Sequence, residues 1–110
     1  MSKDADALRE LFAVSETGKP HHVRHFLYLP RREHAAAIVD ELRRHGYQIE
    51  ERMGADGINW LVLASHHVVP TEELMASTRA FMESLVADVG GEYDGWEAEV
   101  RQDTDPPTRH

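Results

Sequence analysis

The stretch "YQIEERMGADGINWLVLASHH", residues 47–67, decides the fold. Its opening alternates Tyr47, Ile49 and Met53 against Gln48, Glu50 and Arg52, the period-two pattern of a half-buried strand. "GADG", residues 54–57, is a hairpin loop with glycine where a positive φ is needed. "INWLVLASHH", residues 58–67, is apolar on both faces, the mark of a central strand. A short loop between two strands makes them antiparallel neighbours, and everything else is arranged around this pair.

Upstream, "HHVRHFLYLP", residues 21–30, is a strand with Val23, Leu27 and Leu29 on one face and Phe26 and Tyr28 on the other. Pro30 ends it and starts a helix. In "RREHAAAIVDELRRHG", residues 31–46, a stripe of Ala35, Ile38, Val39 and Leu42 predicts a buried helical face, and Gly46 is its C-terminal cap. Downstream, Pro70 and Thr71 open a second helix whose predicted buried stripe is Leu74, Thr78, Phe81, Met82, Leu85 and Val89. Glu72 and Glu73 meet its N-terminal dipole, and Gly90-Gly91 ends it. A last strand follows in "EYDGWEAEV", residues 92–100, where Trp96, Ala98 and Val100 alternate with charge. Strand, helix, strand, strand, helix, strand is the order of a ferredoxin-like α/β sandwich, an α+β fold with a four-stranded antiparallel sheet and both helices on one face. An extra amphipathic helix is expected over residues 4–14 from Leu8, Leu11 and Phe12. The expected organisation is a helix and linker at 1–20, the ferredoxin-like domain at 21–101, and a disordered tail at 102–110.

The chain has 110 residues, 41% of them hydrophobic, which suits one domain with a modest core. It contains no cysteine, so disulfides, thiolate metal sites and thiol nucleophiles are excluded. No apolar run reaches the roughly 18 residues of a membrane span, and the polar, acidic N-terminus does not read as a targeting signal. A cytoplasmic protein is expected. Twenty acids face twelve bases, for a net charge of −8. Phosphate-neutralising bases supply most nucleic-acid affinity, so direct binding to RNA or DNA is disfavoured and a basic protein partner is favoured.

Within the last strand, Asp94-Gly95 interrupts the alternation between Tyr93 and Trp96. A bulge there would re-aim the strand, so that Tyr93 and Trp96 need not obey simple alternation. The run "GEYDGWE", residues 91–97, closing a small acidic α/β domain, resembles the family of regulator of ribonuclease E activity B (RraB). The resemblance is strongest in Tyr93-Asp94-Gly95-Trp96. It extends more weakly over residues 22–101 through the element order, the "HGYQI" junction at 45–49 and the "FLYLP" strand at 26–30. It implies a ferredoxin-like fold and a non-enzymatic, protein-binding role, in which members act on the endoribonuclease RNase E by contact. Better-known members carry a long acidic C-terminal tail; here the tail is short and of mixed charge. The resemblance carries no catalytic residues.

Two readings of that strand compete. Trp96 packs in the core with Asp94 capping a turn, or Tyr93, Asp94 and Trp96 form an exposed recognition patch. The sheet's open face is the other candidate for partner binding. Phe26 and Tyr28 point away from the helices, together with one parity of the third strand, either Trp60 and Val62 or Leu61 and Leu63. The N-terminal helix, a second copy of the chain, or another protein could cover that face. A dimeric ferredoxin-like domain binding a small molecule between sheet and helices is the alternative from a different functional class.

Chemistry-bearing clusters are thin. His21 and His22 are expected near His66 and His67, but adjacent strand residues point to opposite faces. His25 joins such a group only if the strand twists suitably. No ligand spacing fixes a metal site, so no metal or cofactor is expected and the histidines are expected solvated or partly packed. Ser65 beside His66 lacks an orienting acid, and Glu50 and Glu51 face opposite ways. "GADG" is too short for a phosphate loop. An enzyme is not expected.

Overall fold

A computed structural model describes residues 3–14 and 18–99. The tail expected at 102–110 and part of the expected linker lie outside the described residues. The elements run α1 (Lys3–Val14), β1 (His21–Leu29), a 3-10 turn (Arg32–His34), α2 (Ala35–Arg44), β2 (Gln48–Met53), β3 (Trp60–Val68), α3 (Glu72–Ala87) and β4 (Glu92–Ala98). The sheet order is β2-β3-β1-β4 and every pairing is antiparallel. This is the ferredoxin-like arrangement that the element order predicts. Among the described residues, no helix is long and apolar enough to cross a membrane.

Strand parity builds the core. Leu27 and Leu29 of β1, Val62 and Ala64 of β3 and Tyr93 of β4 meet Ala35, Ile38, Val39 and Leu42 of α2 and Met82 and Val86 of α3. β3 supplies buried residues on both faces, as its continuous apolar run requires. The α2 stripe is the predicted one. The α3 stripe is rotated from the prediction: Met75, Thr78, Met82 and Val86 are buried, while Leu74, Phe81, Leu85 and Val89 flank them half-buried. Thr71 caps α3, its Oγ1 accepting from the Leu74 N–H at 3.1 Å.

Helix α1 lies on the helical side of the sheet. Leu8 packs with Val23 and Met75, and Phe12 packs alongside. A place for this helix across the opposite, open face is therefore ruled out. The reason is local: Val23, Met75 and Trp96 leave an apolar ledge at the end of the helical layer, and Leu8 completes it.

The strand β4 contains the bulge. His25 pairs with Trp96 and Leu27 with Tyr93, so Asp94 and Gly95 together face the single residue Phe26. Gly95 adopts φ +105°, closed to other residues without strain. Tyr93 and Trp96, three apart in sequence, both turn toward the helices. Gly91 answers a different need: a β-carbon there would lie 2.7 Å from the Tyr28 carbonyl oxygen and 3.0 Å from the side chains of Leu29 and Val86.

Candidate functional site

Period two also fixes what the open face presents. Phe26 pairs with Leu63 and Tyr28 with Leu61, so Leu61 and Leu63 are the β3 residues that point away from the helices. Trp60 and Val62 point toward them. Opposite Leu63 and Leu61 on the outer side stand Glu50 and Arg52 of β2, and Glu92 of β4 pairs with Tyr28. The result is an apolar strip of Phe26, Tyr28, Leu61 and Leu63 between charged flanks. Leu61 and Leu63, in mid-sheet, are only 4% exposed, whereas Phe26 and Tyr28 are half-buried. All three helices pack on the other side, and no described element lies over the strip.

The two ends of the strip differ chemically. At one end the rings of His22 and His67 stack 4.8 Å apart across β1 and β3, and Arg24 pairs with Glu97. A shallow cavity of about 430 Å³ opens there, lined by His22, Arg24, Gln48, Glu50, Leu63 and Ser65 among others. At the other end a cleft of about 220 Å³ is lined by Tyr28, Ala55, Asp56, Asn59, Glu92 and Asp94. Asp56 organises the β2–β3 loop. Its carboxylate accepts from the backbone N–H groups of Ile58 and Asn59 and from the Asn59 amide at 2.8–3.0 Å, which holds it below the usual carboxylate range.

Beneath the sheet lies a polar cluster built on His25, His66, Tyr47 and Tyr93. His25 is fully buried on the parity of Val23 and Leu27. Its Nδ1 is 2.8 Å from the Tyr93 hydroxyl and its Nε2 is 3.1 Å from His66 Nε2. The Tyr47 ring lies 4.5 Å from that of His66. Burial raises the Tyr47 hydroxyl pKa, against a hydrogen bond with Thr78. His66 is pushed down to about 4, first by burial and then by the charges of His22 and His67. His21 is also fully buried, with Nδ1 2.7 Å from the Lys19 carbonyl oxygen. The expectation of solvated or partly packed histidines is thus corrected for these two. Their strand parity carries them inward, where they find hydrogen-bond partners. No strand twist is needed to bring His25 to His66. Among the described residues, no three His, Asp or Glu side chains are placed to share a metal ion.

The five expected partner-binding residues separate. Phe26 and Tyr28 lie on the open face and Asp94 is exposed at its β4 edge. Tyr93 is 8% exposed and held by His25, with the Arg79 guanidinium 5.0 Å above its ring. Trp96 is half-buried against the α1 ledge. Tyr93 and Trp96 thus shape the fold around the bulge, leaving Asp94 as the exposed member of that motif.

Fold and surface together define a small α+β protein with one layer of helices and one open sheet face. The model of the family described as regulator of ribonuclease activity B matches residues 3–98, and the chain belongs to that family. It matches no curated protein individually.

Proposed function

We propose that this chain is a non-enzymatic, cytoplasmic regulator that acts on RNase E or a related endoribonuclease by protein–protein contact. The family is one of regulators of ribonuclease activity. The observation that carries the finer reading is the apolar strip of Phe26, Tyr28, Leu61 and Leu63, on the side of the sheet away from all three helices. Phe26 and Tyr28 are its accessible part, and Asp94 lies at its β4 margin. The net charge of −8 suits a basic partner surface rather than RNA itself. Aromatic anchors supply the lasting contact, and the acidic surroundings steer the encounter.

The test is a cleavage assay. A purified RNase E-type endoribonuclease should cut a fluorogenic single-stranded RNA more slowly when this chain is added, and the chain alone should cut nothing. RNA cleavage by the chain itself, or unchanged cleavage at an excess over the enzyme with no complex on a sizing column, would contradict the proposal. No specific observation favours the small-molecule reading.

A further inference from the structure

The two edges of the sheet are built differently. The β4 edge is broken by the bulge at Asp94-Gly95, a device that twists an edge away from further pairing. The β2 edge is not. Gln48–Met53 pairs with β3 in unbroken register over all six residues, without proline or bulge. Among the described residues, no strand lies on its outer side. Its alternate outward N–H and C=O groups are a template for another strand.

The side chains of β2 specify what fits. On the helical face stand Ile49, Glu51 and Met53, with Met53 51% exposed and Glu51 accepting from Trp60 Nε1 at 3.0 Å. On the open face stand Gln48, Glu50 and Arg52. Glu50 is exposed and rims the 430 Å³ cavity over Leu63 and Ser65, where a long side chain from a neighbouring strand could lie.

A second copy of the chain is disfavoured by symmetry. Two identical antiparallel strands related by a two-fold axis place one residue opposite itself, because paired residues must share a face. For six residues, the registers with the most overlap centre on Glu50 or on Glu51. Either sets a carboxylate directly against its own copy, which is destabilising. Glu50, the exposed carboxylate on the open face, favours a strand that sets a basic residue opposite it.

We propose that β2 accepts an extended basic segment of a partner protein as a fifth, antiparallel strand. An arginine or lysine of the segment stands opposite Glu50 with its stem over Leu63, and alternate apolar residues cover Ile49 and Met53. The inference rests on the reading that the chain binds a protein, and it names where and how part of that protein enters.

The probe is a blocked eight-residue peptide, Val-Thr-Val-Arg-Val-Thr-Val-Thr, which sets its arginine opposite Glu50 and a threonine opposite Arg52, added to the full chain and followed by NMR. Its binding should slow hydrogen exchange at alternate amides of residues 48–53. Methylating the peptide's backbone nitrogens on one parity should abolish binding, while methylating the other parity should leave most of it. Glu50→Lys should weaken affinity about ten-fold, and Glu50→Gln by less. The inference is overturned by any of three results: no binding, binding that survives both methylation patterns, or protection of β2 by self-association without peptide. The cleavage assay above separates the two levels. If Glu50→Lys still slows the ribonuclease as the parent chain does, the edge inference falls and the proposed function stands. If the parent chain leaves the ribonuclease unaffected while the peptide still binds β2, the reverse holds.

Discussion

At the scale of single residues, Tyr93 explains the odd pattern of the last strand. Its hydroxyl meets buried His25, and the bulge lets Trp96 follow on the same face. Tyr93→Phe should therefore cost about 1 kcal/mol, the net worth of one internal hydrogen bond, as read from a urea midpoint. A neutral result would place that hydrogen bond outside the stabilising set. Gly91→Ala should cost more, because its new methyl would meet the Tyr28 backbone rather than a yielding side chain. His66 makes a signed pH prediction. With its pKa lowered from 6.5 to about 4, the folded chain resists a proton that the unfolded chain accepts. The resulting stability is fully present above pH 6.5 and is lost as pH falls toward 4. The ring is half-exposed, so water screens part of the effect. Chemical denaturation at pH 7 and pH 5 should show the loss, and His66→Gln should flatten it. An equal pH slope in both proteins would assign the effect to other groups.

At the scale of elements, Thr71 holds the first turn of α3, and Thr71→Ala should cost about 1 kcal/mol in thermal or urea unfolding. A far smaller loss would mean that tertiary packing alone sets the start of that helix. The elements themselves were legible because their periods are short and local. Alternation placed Val23, Leu27 and Leu29 against Phe26 and Tyr28, and the Asp94-Gly95 pair marked the bulge. What escaped was whatever depends on partners far along the chain. The apolar arc of α3 is wide, running from Phe81 and Leu74 round to Met75 and Val86, so composition alone does not say which rows go deepest. His25 shares parity with Val23, yet a lone imidazole on that face does not declare itself buried. Its burial becomes acceptable only once Tyr93 and His66 are brought beside it. The docking of α1 was equally hidden, since an amphipathic helix shows that it needs an apolar surface without showing which one.

At the scale of the whole molecule, the proposed contact divides its work between charge and shape. A net charge of −8 should raise the association rate with a basic partner, and added salt should lower it. Exposed charge pairs contribute only about 0–1 kcal/mol each, so the proposed contact takes its residence time from the apolar strip. The family membership and the open sheet face meet in the central proposal, that Phe26 and Tyr28 form the contact with the ribonuclease. The most direct test measures association and dissociation of the immobilised endoribonuclease with the parent chain, Phe26→Ser and Tyr28→Ser, alongside their melting temperatures. The account predicts a near-parental association rate and melting temperature for both variants, with dissociation accelerated about ten-fold or more. Unchanged dissociation in two well-folded variants would contradict it.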